Sequence, residues 1–412
     1  MRRTAAGLFE RRGYAATTIS DIAEAAGILP GSLYHHFASK EDIAVDLLAS
    51  YSQALAALGA EAVRRTEIAG DPEGLIRRLA TDVARLAFEH AAAVRLSAYE
   101  APSVSTGRFT AAIQFRSPAL ERAWRIAVQS LAAAGRSPAA DLGLLRFSLQ
   151  RVTALAPLYY PAELGADELA GHLCDLLLHG LLTDSPPFEE LDRSAAYRTA
   201  LEVTGRWSAR PAGGSGDARR GAPADITGTI LAAARTEFAR RGYEATTIRD
   251  IAGVAGVGMA SLYRRVESKE TLLRTIVDVY ADGLNEAFEA VMASKGSDSE
   301  RLYAIMRVFA YASRHFREES RIVVFGWYGR EAASSPVHGY FVATQRRLDT
   351  LTGLFGRGLA AGTVRPIAGP AELAAHLRTV LWLRFHEHAR ASEPRAFEFL
   401  RQSLLSGALG RP

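Results

Sequence analysis

Cysteine and lysine are scarce in this chain of 412 residues. The single cysteine, Cys174, excludes an intramolecular disulfide framework and a zinc site built on several cysteines. Lysine occurs only at Lys40, Lys269 and Lys295, although lysine and arginine together number 49. The basic residues are therefore almost all arginine. The formal net charge of +4 permits a nucleic-acid partner without requiring one.

Long apolar runs and alternating β-branched runs are also missing. The absence of an uncharged apolar stretch of about 18 residues predicts no transmembrane helix. Charged residues at the N-terminus argue against a signal peptide, so we expect a cytoplasmic protein without membrane contact. Apolar residues recur at three- and four-residue spacing, as at Leu75, Leu79 and Val83. The sequence therefore predicts an all-α protein.

The common catalytic patterns are lacking as well. The chain has no Gly-rich phosphate loop, no His-Glu zinc pattern and no nucleophile elbow. We therefore expect neither an enzyme nor a bound cofactor. His35 and His36 are adjacent, which does not direct both side chains to one metal ion, and no metal site is expected.

One segment of the chain is present twice. The stretch GILPGSLYHHFASKE, residues 27–41, returns 229 positions later as GVGMASLYRRVESKE, residues 256–270. Across residues 9–41 and 238–270 the two copies share twenty of thirty-three positions without a gap. After about residues 48 and 277 the similarity fades. The sequence therefore predicts two related heads, each followed by a divergent helical body.

These signals divide the chain into five segments. The heads are residues 1–48 and 226–277, and the helical bodies are residues 49–205 and 278–412. Residues 206–225, RWSARPAGGSGDARRGAPAD, lack apolar periodicity and predict a flexible linker. A flexible chain of this length spans about 25 Å on average, which lets the two halves pack side by side.

Each head carries the local signals of a helix-turn-helix. In the first copy, Thr18 and Asp21 have the spacing of a capping box, which predicts a helix that Gly27 ends. Pro30 fits the first turn of the next, short helix because the missing amide donor costs nothing there. The second helix of such a motif enters the major groove of DNA.

The short helix, expected over residues 30–37, should therefore carry the DNA contacts. Its outward positions hold small or polar residues: Gly31, Ser32, Tyr34, His35 and His36. Tyr34 and His35 can donate hydrogen bonds to phosphate oxygens. Lys40 lies at the start of the following helix, where its charge and the helix amides favour a phosphate. The alternative for each residue is an exposed polar side chain without a DNA role.

The two stretches TTISDIAEAAGILPGSLYHHFASKE, residues 17–41, and TTIRDIAGVAGVGMASLYRRVESKE, residues 246–270, resemble the DNA-binding head of the TetR family of bacterial transcriptional regulators. The resemblance implies two tandem TetR-like units, each with a head that reads an operator and a helical body that binds a ligand and dimerises. It implies recognition helices over residues 30–37 and 259–266. The implied DNA contacts are Thr18, Gly31, Ser32, Tyr34, His35, Lys40, Thr247, Ala260, Ser261, Tyr263, Arg264 and Lys269.

The bodies offer two kinds of candidate. Residues 141–182 and the segment from 370 to 405 are expected to form dimerisation helices. Aromatic residues are candidates for a ligand cavity, with core packing as the alternative: Phe88, Tyr99, Phe115, Trp124, Tyr311, Phe325 and Trp327. The Tyr-Tyr-Pro turn at residues 159–161 resembles TetR-like regulators of lipid and steroid catabolism, which implies an effector of lipid or acyl-CoA type.

The resemblance thus implies a ligand-responsive regulator, a repressor, with double-stranded operator DNA as its partner. Because His35-His36 in one head becomes Arg264-Arg265 in the other, the heads should prefer different sequences. We expect them to form an intramolecular pseudo-dimer on one operator, with a homodimer of chains as the alternative. Activation is a further alternative. Two others are a second head that is only a structural partner, and a protein-binding adaptor with degenerate heads.

Overall fold

The computed structural model of the chain describes residues 1–14, 16–66, 71–98, 107–134, 140–161, 163–209, 226–325 and 335–410. It is 77% helical, and the described ranges contain no β-strand. An isolated antiparallel bridge joins Leu182 to Val364. The predicted all-α class is confirmed.

The first head consists of α1 (Arg2–Arg12), α2 (Ile19–Ala25) and α3 (Pro30–Tyr34). Helix α3 ends three residues before the expected position. The amides of His36 and Phe37 both donate to the carbonyl oxygen of Leu33, at 2.9 and 3.0 Å. These converging bonds close the helix in a tight turn, so the recognition helix is shorter than its sequence pattern indicates.

The first body begins with α4 (Lys40–Thr66), which continues from the head. Its other helices are α5 (Pro72–Glu89), α6 (Ala91–Ala98), α7 (Gly107–Ile113), α8 (Pro118–Ala133), α9 (Leu142–Ala154), α10 (Ala156–Tyr159) and α11 (Ala166–His179). Helix α4 packs along α8. Its stretch Lys40–Arg65 is long and apolar enough to pass a test for a membrane span by length and composition, which is weak evidence from one helix.

Two helices follow the first body, α12 (Phe188–Asp192) and α13 (Ala195–Ala209). Helix α13 extends through residues 206–209, so the start of the expected flexible linker is helical. The remaining residues of that expected linker, 210–225, lie outside the described ranges.

The second head repeats the first with α14 (Ile226–Arg241), α15 (Ile248–Ala255) and α16 (Met259–Tyr263). The second body contains α17 (Lys269–Ala293), α18 (Asp298–His315), α19 (Arg317–Phe325), α20 (His338–Ala360), α21 (Pro370–Leu381), α22 (Phe385–His388), α23 (Glu393–Arg401) and a π-helical turn, Gln402–Ser406. Helix α13 packs against α17 and α18, so a helix that precedes the linker lies on the second body. Its Trp207 is buried against the rings of Tyr311, His315 and Phe316.

The two halves contact each other through the segments expected to dimerise. Helix α9 packs on α21 and α23, and α11 packs on the π-helical turn. Tyr160 Oη donates to Thr379 Oγ1 at 3.0 Å, and the amide of Leu181 donates to the carbonyl oxygen of Leu404 at 2.8 Å. A single hydrophobic core includes both bodies and the second head. The first head packs instead in a separate cluster with residues of α6 and α7, including Phe109.

Candidate functional site

The two short helices α3 and α16 present the same face to solvent. One leucine in each helix, Leu33 and Leu262, is fully buried and anchors it to the head. The following tyrosines, Tyr34 and Tyr263, are 55% and 61% exposed. Such large aromatic side chains rarely remain this open without a partner surface. Gly31, Ser32, His35 and Arg264 are nearby, and all but Ser261 of the predicted contacts on these two helices are exposed.

The threonines before α2 and α15 form the predicted capping boxes. Thr18 Oγ1 accepts from the amide of Asp21 at 3.1 Å, and the Asp21 carboxylate accepts from the Thr18 amide at 2.7 Å. The second head repeats this arrangement with Thr247 and Asp250. Hydrogen bonds from Thr18 lower the pKa of Asp21, because they stabilise its carboxylate form. Both threonines remain exposed, so the caps fix the helix start that faces the predicted DNA.

The predicted phosphate ligands Lys40 and Lys269 make internal contacts. Lys40 Nζ donates to the carbonyl oxygen of Tyr14 at 2.7 Å and lies 4.3 Å from the centre of its ring. Lys269 Nζ donates to the carbonyl oxygens of Tyr243 and Thr246 at 2.9 and 3.1 Å. Partial burial lowers the pKa of both lysines. Each lysine thus holds the turn after the leading helix, and its phosphate contact stays a prediction.

The exposed charges of the two heads differ. Arg264 and Arg265 of the second head stand where the first head has His35 and His36. Arg265 Nη1 donates to the carbonyl oxygen of Ser261 at 3.1 Å, which holds it along α16. The second head also has an exposed arginine, Arg249, in the first turn of α15, at the position that Ser20 occupies in the first head. The sequence prediction missed Arg249, although the serine-to-arginine difference between the copies is a signal.

The aromatic candidates for a ligand cavity do not converge. Trp124 is fully buried in the core, and Tyr311 packs against Trp207. Phe88 packs at the edge of the main core, whereas Phe115 lines a cavity. Tyr99, Trp327 and the side chain of Phe325 lie outside the described residues. The ligand-binding role of these residues stays a prediction.

The structure instead contains two adjoining cavities beside α9. One, of about 450 Å³, lies between the halves and is lined from both, including Arg151, Tyr159, Arg240 and Trp382. The other, of about 270 Å³, lies inside the first body and includes Tyr51 and Phe115. Both cavities share Arg116, Arg151 and His388. Volumes of this size are typical of small-molecule sites.

The sequence profile of the family described as bacterial regulatory proteins, tetR family, matches residues 2–47 and 230–276. Over 166 residues the chain is 30% identical to the HTH-type transcriptional activator FasR of Mycolicibacterium smegmatis. This match covers 40% of the chain and 74% of FasR. The chain belongs to the TetR family. The two profile matches show that it carries two TetR-type heads in tandem.

Other TetR-family resemblances are shorter or weaker. The chain is 60% identical over 47 residues to the HTH-type transcriptional repressor KstR2 of Mycobacterium tuberculosis, a match covering 11% of this chain and about a quarter (24%) of KstR2. The solved structure of the ketosteroid transcriptional regulator KstR2 of the same organism superposes with a TM-score of 0.40 at 23% identity. It covers 44% of this chain and 92% of that protein.

The inter-half cavity was not predictable from the TetR-type motifs. Its arginines come from distant parts of the chain: Arg116 precedes α8, Arg151 lies in α9, Arg240 lies in α14 and Arg384 follows α21. No local spacing connects these positions. Only the packing of one half on the other brings them together.

Proposed function

We propose that the chain is a ligand-responsive, DNA-binding transcriptional regulator of the bacterial cytoplasm, which acts as a repressor without catalysing a reaction. In this proposal its two unlike heads form an intramolecular pseudo-dimer and read one operator in double-stranded DNA. The division into heads at residues 1–48 and 226–277, bodies at 49–205 and 278–412, and a linker at 206–225 belongs to the proposal.

The repetition of one exposed surface carries the DNA-binding part of the proposal. Both heads keep an exposed tyrosine beside a buried leucine, a capping box and the same lysine contact, although the bodies have diverged. Conformational requirements explain the leucine, the cap and the lysine. They do not explain Tyr34 and Tyr263, whose rings lie open to solvent. A duplex major groove fits a short protruding helix with such residues.

The contacts between the halves support the pseudo-dimer. The buried bond between Tyr160 and Thr379 and the ion pair between Asp141 and Arg395, at 2.7 Å, join α9, α10 and neighbouring residues to the second body. Two heads that read one operator must reach successive major grooves about 34 Å apart. A covalent connection raises the effective concentration of the second half to roughly millimolar. A palindromic operator is then not required.

The effector is proposed to be of lipid or acyl-CoA type, and ligand binding is proposed to lower operator affinity. Coupling between two such sites is typically about 1–3 kcal/mol. The relatives include a protein named as a repressor, KstR2, and one named as an activator, FasR. Activation is therefore the second candidate, which transcription in vitro from the selected operator distinguishes.

Selection of genomic DNA fragments bound by the full chain tests the proposal, together with the mass of the free protein by light scattering. We expect enrichment of one site with two unlike half-sites about one helical turn apart, and the mass of one chain. A palindromic site with a mass of two chains would replace the pseudo-dimer by a homodimer. An absence of enrichment by the folded, ligand-free protein would favour the adaptor.

The separate variants Tyr34→Ala and Tyr263→Ala determine whether both heads bind. In the pseudo-dimer each variant loses protection of one half-site in a footprint. If one variant binds like the unchanged protein, the corresponding head is only a structural partner.

A further inference from the structure

The larger cavity between the halves has a strongly one-sided charge. Four arginines line it, Arg116, Arg151, Arg240 and Arg384, together with His388. The lining contains no aspartate or glutamate. The first body supplies two of these arginines, the second head supplies Arg240, and the second body supplies Arg384. The positive charge is therefore concentrated where three parts of the chain meet.

Two of the arginines have carboxylate partners, and two do not. Arg240 pairs with Glu237 at 2.8 Å, and Arg384 pairs with Glu387 at 3.1 Å. Among the described residues, no carboxylate forms an ion pair with Arg151, which is largely buried, or with Arg116 at the exposed mouth of the cavity. A buried charge without a partner is costly, and such groups in proteins normally pair or bind an ion.

The local titration behaviour agrees with this geometry. Burial and the charges of Arg384 and Arg116 lower the pKa of Arg151 to about 10. Partial burial and the neighbouring arginines also lower the pKa of His388. A negative group placed here would interact with several positive charges at once, and one charge-assisted hydrogen bond is about twice as strong as a neutral one.

The rest of the lining is apolar. Leu155 and Leu158 come from the first half, and Phe309, Leu381 and Trp382 from the second. The adjoining cavity in the first body continues from Arg151 towards Leu55 and Phe147. A ligand that fills this space needs one anionic end and an apolar remainder.

We propose that this cavity binds an anionic amphiphile, one per chain, with its carboxylate or phosphate held by Arg151 and Arg116 and its apolar part between the halves. The proposal rests on the proposed function and specifies the effector site. It also gives the ligand a direct contact with a head, because Arg240 lies in the leading helix of the second head. Bound ligand and Glu237 then compete for Arg240.

Calorimetric titration of the full chain tests the proposal. The probes are dodecanoate, dodecanoyl-CoA and the neutral analogue dodecanol, all below their aggregation concentrations. We expect one site per chain for at least one anionic probe and binding at least tenfold weaker for dodecanol. Binding of dodecanoate identifies the carboxylate as the anion, whereas binding of dodecanoyl-CoA alone identifies a phosphate.

The matched variants are Arg151→Met in the cavity and Arg346→Met on the exposed face of α20. Arg151→Met should weaken the anionic probe at least tenfold, and Arg346→Met less than twofold. Thermal denaturation checks folding, and Arg116→Met is the second cavity variant, expected to weaken binding in the same direction. Equal binding of dodecanol, no binding of either anion, or equal effects of the cavity and control variants would overturn the inference.

Operator binding in the same samples separates the two proposals. If the protein shifts its selected DNA and no anion binds, only the inference about the cavity fails. If the anion binds with the expected variant pattern and no DNA is bound, the regulator proposal fails and the cavity assignment stands.

Discussion

The ammonium group of Lys269 donates to the carbonyl oxygen of Tyr243 at 2.9 Å and lies 4.1 Å from the centre of the same tyrosine ring. The first head repeats both contacts with Lys40 and Tyr14. In each case the lysine joins the start of the long helix after the head to the turn that follows the leading helix. A residue retained in both copies therefore has a structural reason to be there.

Replacing Lys269 by methionine should destabilise the protein by about 1–2 kcal/mol, because a charge-assisted bond and a contact with an aromatic face are lost. Urea denaturation measures this change. Lys295→Met is the matched control, since Lys295 is exposed, and it should change stability by less than about 0.5 kcal/mol. If Lys269→Met leaves stability unchanged and reduces the salt dependence of DNA binding, Lys269 is a phosphate contact as the sequence predicts.

Local signals were enough to predict the heads. The capping box at Thr18 and the buried Leu33 follow from short-range rules of helix capping and periodicity, and both are found in the structure. The end of α3 was placed too late, because the hydrogen bonds that close it converge on one carbonyl and leave no residue-type signal. The internal contact of Lys40 was missed because it joins positions 26 residues apart.

The bodies were less predictable for a physical reason. Aromatic residues serve equally in a core and in a cavity, so Trp124 could not be assigned from its type and is fully buried. The position of α13 on the second body depends on tertiary packing, to which periodicity is blind. The charge of the cavity arises from arginines such as Arg151 and Arg384, which only the fold brings together.

Converting the first head towards the second should strengthen its contact with DNA. The double variant His35→Arg, His36→Arg adds two cationic side chains at exposed positions of α3 and the following turn. Each new phosphate contact should steepen the dependence of log affinity on log salt concentration by about 0.9. We expect a steeper slope in binding titrations over several salt concentrations. Ser20→Arg, which copies Arg249 of the second head, should act in the same direction. An unchanged slope for both variants would indicate that the first head does not contact the duplex.

Acid should weaken the contact between the halves through His376. This side chain is fully buried, its Nδ1 lies 3.0 Å from Tyr160 Oη, and burial lowers its pKa to about 3. Because the pKa in the folded state lies below the unfolded value of about 6.5, the neutral form stabilises the fold above that pH. The stabilisation is lost as the pH falls, at about 1.4 kcal/mol per pH unit below 6.5.

Denaturation of the unchanged protein and of His376→Gln between pH 7.5 and 5 measures this contribution. The variant should be less stable at pH 7.5, and its stability should fall less steeply with acidification. Tyr34→Phe, at an exposed position, is the control and should keep the full pH dependence. Parallel curves for His376→Gln and the unchanged protein would place the acid sensitivity in other groups.

Helix α13 should hold the halves together after the chain is cut. Trp207 is 3% exposed and contacts three aromatic rings of the second body, so Trp207→Ala should cost about 3–5 kcal/mol. A protease site with its own Gly-Ser flanks, inserted between Gly213 and Gly214, allows the connection to be cleaved in the folded protein. At micromolar concentration the cleaved halves should still elute together with the mass of the intact chain, 44.4 kDa. With Trp207→Ala in addition, they should separate on dilution, because the covalent connection no longer supplies its high effective concentration. Leu201→Ala on the exposed side of α13 is the control and should leave the cleaved complex intact. Separation of the cleaved but otherwise unchanged protein at micromolar concentration would mean that the covalent connection, and not α13, maintains the pairing of the two heads.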